Sequence, residues 1–235
     1  MADGLYIGMS GAVARSEQLD AIADGLSNAQ TPGYKAERPA FSTILARTGG
    51  AARSYVAAVA TQVDGRAGPL ETTGNALDIT PQAGAYLAVR TPSGQISYTR
   101  SGRMTLDAQG QLSVAGGLVL GQSGEPIRVP AKETPTIGKD GVVSAEGLEL
   151  DRLALFNLSG PLEHTSGSLY RARSVEPVDP AQSGVHVGAL ELGNYTALEA
   201  AVGMVTAQRS FESSMQVIET YKKIDDRANE LGRVK

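Results

Sequence analysis

The chain of 235 residues has no cysteine and no tryptophan. The first absence excludes a disulfide framework, a thiolate metal site and a cysteine nucleophile, though it does not name a compartment. The second, with aromatic residues at 5%, argues against a dense aromatic core. There is no run of Lys and Arg. A formal charge of −4 and a pI near 5.3 speak against a nucleic-acid surface, which needs clustered basic side chains. No stretch approaches the roughly 18 apolar residues that cross a bilayer, so no integral membrane segment is expected. The N-terminus lacks a charged n-region, a continuous apolar h-region and a small-residue cleavage site. If the protein leaves the cytoplasm, it does so without a cleaved secretory signal.

Catalytic signatures are also missing. His164 and His186 are the two imidazoles, and neither stands in a metal-ligand spacing or beside a nucleophile, so both are expected on the surface or in loops. No G-x-S-x-G elbow, P-loop or dinucleotide fingerprint occurs. Asp78 and Asp107 lie in turn or strand-edge contexts that suit Asx hydrogen bonding. Arg100 and Arg103 are read as surface groups able to pair between subunits, where an ion pair contributes about 0–1 kcal/mol. No catalytic, cofactor or metal residue is assigned, and the chain is expected not to be an enzyme.

What the sequence does contain is a pair of helical seams at its two ends. Leu5, Met9, Ala12, Ser16, Leu19, Ile22 and Leu26 recur at steps of three and four. Met204, Ala207, Phe211, Met215, Ile218, Tyr221, Ile224, Ala228 and Leu231 do the same, close to the 3.5-residue coiled-coil spacing. The first helix is expected over 3–28, with Asp3 as cap. It ends at Thr31-Pro32-Gly33-Tyr34, where Pro second and Gly third fit a type II turn. Its Gly4, Gly8 and Gly11 weaken it in isolation, each by about 1 kcal/mol relative to Ala, but permit close helix approach. Thr196 and Glu199 form a capping box that opens the last helix, which can run to about Leu231. At 1.5 Å per residue the helices span about 39 Å and about 54 Å, so roughly 15 Å of the longer one lies beyond its partner. The stripes would also fit an antiparallel pair within a monomer. The length mismatch and glycine load favour completion by copies of the same protein or homologous subunits.

Between the helices, 28 glycines and 11 prolines punctuate short alternating runs. The runs 86–89, 95–99, 103–106, 111–114 and 118–120 are separated by Pro92-Ser93-Gly94 and Asp107-Ala108-Gln109-Gly110, and Lys139-Asp140-Gly141 follows as a further turn, giving an antiparallel β domain over 70–178. Residues 35–69 and 179–193 lack a clean period and are read as connectors. The fold class is therefore α+β: a discontinuous, coiled-coil-like pair of terminal helices, 1–34 and 194–235, with an inserted antiparallel β domain.

The motifs resemble those of the flagellar axial family, the rod and hook proteins of the bacterial basal body. Leu26, Asn28, Thr31, Gly33 and Lys35 match a helix ending in "NNLAN" followed by a "TxGFK" turn. Thr73-Gly74-Asn75-Ala76-Leu77-Asp78-Ile79 resembles "TGNxLDxAI", and Tyr98-Thr99-Arg100-Ser101-Gly102 resembles "YTRxG". Leu190-Glu191-Leu192-Gly193-Asn194-Tyr195 and the stretch from Val205 to Glu212 resemble "LExSNV" and "MIxAQRxFE". Short length and the opening Leu5-Tyr6-Ile7-Gly8-Met9 look most like a proximal rod protein, with a distal rod or hook paralogue as the alternative.

The resemblance implies a structural subunit of the rod, the drive shaft that carries torque from motor to hook. It implies export by the flagellar type III apparatus to the basal body in the periplasmic space. It further implies polymerisation with copies of itself and homologous rod subunits through an inner tube of terminal helices. The interface is then expected at Leu5, Met9, Leu19, Ile22, Leu26, Met204, Phe211, Met215, Ile218, Tyr221, Ile224 and Leu231, and the turn motif at Asn28, Thr31, Gly33, Tyr34 and Lys35. Phe41 and Leu45 fit the "FxxxΦ" export-gate pattern, and equally fit ordinary packing of the connector. The reading from another class is a β-domain enzyme or carbohydrate-binding module with helical oligomerisation ends.

Overall fold

The computed structural model describes residues 2–48, 51–82, 84–131, 133–179 and 184–232; the side chains of 2–7, 41–48, 51–60, 231 and 232 lie outside that description. Contacts divide the chain into two compact units. One holds Met1–Ser27, Glu37–Gln62 and Thr196–Lys235, the other Asn28–Ala36 and Val63–Tyr195.

The first unit contains α1 (Ala2–Ser27), the strands β1 (Glu37–Thr48) and β2 (Ala51–Val63), and α2 (Ala197–Gly232). α1 begins at Ala2, ahead of Asp3, so Asp3 stands within the helix and does not precede it. α2 opens as expected: Glu199 Oε2 accepts from Thr196 N at 3.0 Å, and Thr196 Oγ1 accepts from Glu199 N at 3.2 Å. The reciprocal bonds satisfy two backbone donors that a helix start leaves open. Small side chains let the helices approach. A Cβ placed on Gly8 would lie 2.8 Å from Ile218 Cγ1, and one on Gly11 would lie 3.3 Å from Ser214 Oγ. Because position 8 meets 218 and position 11 meets 214, α1 and α2 run antiparallel. Ala12, Ala14 and Ile22 are buried on α1, as are Ala200 and Ala207 on α2.

The segment expected to be an irregular connector instead contributes β1 and β2, which pair with each other as a two-stranded ribbon. Two strands of 12 and 13 residues escape a period-based reading because small and apolar residues occupy both alternating faces, for example Ala57, Ala58, Val59 and Ala60.

In the second unit the strands are β3 (Leu70–Thr72), β4 (Ile79–Pro81), β5 (Tyr86–Arg90), β6 (Ile96–Thr99), β7 (Thr105–Leu106), β8 (Leu112–Val114), β9 (Gly117–Val119) and β10 (Pro135–Ile137). They continue with β11 (Val142–Ala145), β12 (Leu148–Arg152), β13 (Leu155–Ser166), β14 (Leu169–Pro177), β15 (Val185–Val187) and β16 (Ala189–Glu191). Seven strands form one sheet in the order β13-β14-β6-β5-β9-β8-β7. β13 also pairs with β5, so β13, β14, β6 and β5 close on one another. The strand pairings described in this unit are antiparallel. β15 and β16, in the stretch read as a second connector, return to pair with β4 and β3.

Alternation sorts β5 between two faces. Leu87 and Val89 enter the main core with Leu112, Val119, Val143 and Leu153, while Ala88 faces the other way with Leu120 and Ala154. The turn over 107–110 behaves as its chemistry suggests, since Asp107 Oδ1 accepts from Gln109 N at 2.9 Å and Gln111 N at 2.7 Å. Leu87 is fully buried; Leu87→Ala is expected to destabilise the protein by about 2–5 kcal/mol through the cavity it opens. Urea titration checks this, and a loss below about 1 kcal/mol would contradict the packing described.

Candidate functional site

Two features of the molecule bear on function: the outer surface of α2 and a buried charge cluster in the β unit.

α2 carries two apolar stripes. Ala200 and Ala207 are buried, and Ile218 meets Gly8 of α1. At about 100° per residue, Leu198, Val202 and Val205 fall on roughly the opposite side of the same helix. They are 75%, 61% and 51% exposed. The expected interface residues divide accordingly. Ile22 is buried, while Leu19, Met204, Phe211 and Ile218 are half-buried. Met9, Leu26, Met215, Tyr221 and Ile224 remain exposed. Leu5 and Leu231, like Phe41 and Leu45 of β1, have side chains outside the described residues. The sequence reading missed Leu198, Val202 and Val205, although their steps of four and three were visible. Following one stripe per helix concealed the second.

The charge cluster is built where the chain leaves and re-enters the β unit. The chain passes between the units at 27–28, 36–37, 62–63 and 195–196. Residues from these passages are held together inside the β unit. Thr31 N donates to Asn28 O at 2.9 Å and Tyr34 N to Thr31 O at 3.2 Å, closing the expected turn. Gly33 there has φ +70°, as the third position of a type II turn requires. A Cβ at Gly33 would also lie 2.0 Å from Ser101 N, so glycine is dictated twice. Gly33 N donates to Glu191 O at 2.7 Å, and Lys35 N to Tyr170 Oη at 2.6 Å. Asn194 ties two passages: its Oδ1 accepts from Ala36 N at 2.7 Å, and its Nδ2 donates to Asp64 O at 2.8 Å and Arg66 O at 3.1 Å.

Glu191 is the centre of the cluster. Oε1 accepts from Lys35 Nζ at 2.5 Å and Gly68 N at 3.0 Å. Oε2 accepts from Arg100 Nε at 2.7 Å and from Arg100 Nη2. Lys35 Nζ also donates to Arg66 O at 2.6 Å, and Arg100 Nη1 to Ala85 O at 2.7 Å. The Arg100 guanidinium lies 5.8 Å from the centre of the Tyr86 ring. Lys35, Arg100 and Glu191 are 1%, 5% and 1% exposed. Arg100 is therefore a buried intramolecular partner and not the surface residue its sequence context suggested; Arg103 is exposed. Asp78 is buried too, and its Oδ1 has no hydrogen-bond partner among the described residues, in place of the Asx role expected. His164 and His186 are exposed, but in β13 and β15 and not in loops. The His164 ring packs 6.1 Å from that of Tyr34 and 5.5 Å from that of Tyr170.

The electrostatics follow from one carboxylate serving two cations. Burial pushes the Lys35 ammonium below its ordinary value of 10.5, against the attraction of Glu191. For Glu191, burial opposes ionisation. The charge of Arg100 and the hydrogen bonds from Lys35, Gly68 and Arg100 outweigh it and hold the carboxyl below its ordinary 4.5. In this constellation Glu191 engages the Lys35 ammonium and the Arg100 guanidinium together. Among the described residues no group of three or more His, Cys, Asp or Glu could hold a metal ion, and no helix is long and apolar enough to cross a membrane.

Three family models match the chain: "Flagella basal body rod protein" over residues 5–35, "Flagellar hook protein FlgE/F/G D1 domain" over 82–145, and "Flagellar basal body rod FlgEFG protein C-terminal" over 187–231. The flagellar basal-body rod protein FlgF of Escherichia coli (strain K12) is 31% identical, with 98% of each chain covered. The chain belongs to the flagellar basal-body rod protein family. The FlgF protein of Mesorhizobium japonicum is 30% identical over 99% of each chain, and the rod protein FlgG of Bacillus subtilis 28% identical over 95% of this chain and 97% of that one. The rod-family segments each supply one member of the cluster: Lys35 falls in the first, Arg100 in the second and Glu191 in the third.

Glu191→Gln leaves Lys35 and Arg100 buried without a counter-charge and is expected to cost about 3–5 kcal/mol. The pH dependence has a definite sign. A carboxyl depressed in the folded state is protonated first in the unfolded chain, so stability rises with pH across the window below 4.5 and is lost as acid reaches the folded value. Urea titrations between about pH 3 and 6 should show that acid slope in the wild type and a flatter one in Glu191→Gln. Equal slopes would remove Glu191 from the account.

Proposed function

We propose that this chain is a non-enzymatic structural subunit of the flagellar rod, most like FlgF, which polymerises with copies of itself and homologous rod subunits at the basal body. The observation that carries this reading is the second apolar stripe of α2. One face is covered by α1 within the chain, while Leu198, Val202 and Val205 form an opposite face too apolar to be left in water. The helices are 26 and 36 residues long, so α2 also outruns its partner by about 15 Å. A coiled-coil-like tube of such helices, with several copies meeting on both stripes, satisfies both excesses. The 1–34 and 194–235 segments are then the tube-forming parts and 70–178 the outer β domain. The ribbon of β1 and β2 and the strands β15 and β16 occupy what we treat as connectors. In this reading the chain passages, held on the β side by the Glu191 and Asn194 bonds, are part of the path that torque takes.

Delivery to the periplasmic side by the flagellar export apparatus, without a cleaved signal peptide, fits a chain with no cysteine and a glycine-rich first helix. Phe41 and Leu45, four apart in the sequence of β1, are the positions an export gate would read.

The variant Leu198→Glu/Val202→Glu/Val205→Glu changes exposed positions only. It is expected to keep the wild-type circular dichroism and urea midpoint as a monomer, yet fail to restore swimming in cells lacking the wild-type protein. Normal swimming with this variant would sink the assembly role of the stripe.

A further inference from the structure

Asp78 is a buried acid that the Glu191 cluster does not use. It is 5% exposed, and its Oδ1 has no hydrogen-bond partner among the described residues. The turn bond expected of it is made by Asn75, whose Oδ1 accepts from Leu77 N at 3.2 Å. The backbone of Asp78 is engaged on both sides: its N donates to Asn75 O at 3.0 Å, and its O accepts from Gly188 N at 2.7 Å. Gly188 stands between β15 and β16, three residues before Glu191. Across from Asp78, in an antiparallel bridge, is Arg103. Ile79 N donates to Gly102 O at 3.1 Å and Met104 N to Leu77 O at 3.2 Å. Because these bonds flank the pair, Asp78 and Arg103 occupy the narrow, non-hydrogen-bonded position of an antiparallel ladder. Cα atoms there are about 4.5 Å apart, and the two side chains leave the same face. An acid and a base thus stand opposite each other at the closest cross-strand spacing. Arg103 nevertheless points to water, and among the described residues neither of the two belongs to an ion pair.

We propose that Arg103 is a strap poised over Asp78: its guanidinium closes on the carboxylate, and the ion pair fastens residues 77–79 to 102–104. A buried carboxylate without a counter-charge is costly, which supplies the drive for closure. Only the Arg103 side chain has to move, by rotation among its own rotamers, with its methylene stem lying along the strand. Through the Gly188 bond the closed strap also steadies the turn that leads into β16 and Glu191. Arg103 is in this sense a positioning residue, and nothing in the pairing depends on the rod reading.

The test is a double-mutant cycle by urea titration of the full chain at pH 7. Arg103→Gln is expected to weaken the folding equilibrium about fivefold, the upper end of what an ion pair near the surface contributes. Arg103→Lys keeps the charge and should weaken it less than twofold. In an Asp78→Asn background, Arg103→Gln should change nothing further. No loss on Arg103→Gln, an equal loss in both backgrounds, or the same loss for Lys as for Gln would overturn the strap. If Asp78→Asn does not fold, NMR of the wild type decides. The Arg103 Nε–H signal is expected to exchange with solvent at least tenfold more slowly than that of Arg128, which is exposed. Equal exchange at the two arginines would overturn the pair.

Discussion

The structure depends on Glu191 holding two cations while Asn194 holds two stretches of backbone. Glu191 ends β16 and Asn194 follows three residues later, and between them they bind the stretches by which the chain enters and leaves the β unit. Residues 28–36 are bound through Gly33, Lys35 and Ala36, residues 63–68 through Asp64, Arg66 and Gly68, and 191–194 by their own positions. A segment pinned by so many directed bonds has few alternative paths. Hydrophobic packing alone would tolerate sliding of these segments, because it is non-directional.

Burying three charges is an inefficient way to gain stability, since an apolar replacement of similar volume often does as well or better. What the arrangement supplies is geometry. Each hydrogen bond has a required direction, and the bidentate approach of Arg100 to Glu191 adds a plane. For a structural rod subunit, defined geometry at the passages is what such bonds contribute beyond a few kcal/mol of fold stability. The three rod-family segments meet here, one residue from each, which gives their separate motifs a common physical purpose.

The helical unit works by the opposite logic. Its contacts are made by small residues: Gly8 and Gly11 against Ile218 and Ser214, with Ala12, Ala200 and Ala207 buried. Such a seam buries little apolar area per residue and so stabilises an isolated pair weakly. Leu198, Val202 and Val205 are turned outward, while Ile22 is buried and Leu19, Met204, Phe211 and Ile218 are half-buried. A chain that keeps some of its apolar groups on an outward stripe would become firmer when that stripe is covered.

Sequence by itself determined the two helices, the turn at Thr31 to Tyr34, the capping box at Thr196 and Glu199, and the antiparallel body, because each rests on local rules: a period, a required φ, a side-chain bond three residues away. It also showed Lys35, Arg100 and Glu191 within recognisable motifs. It left Arg100 at the surface and treated β1, β2, β15 and β16 as irregular, since strand partners and burial are properties of distant residues. Only the tertiary structure could bring positions 35, 100 and 191 together, separated as they are by most of the chain. Charge pairing across such distances has no local signature: the arginine of Tyr98-Thr99-Arg100-Ser101-Gly102 reads the same whether water or a buried carboxylate faces it.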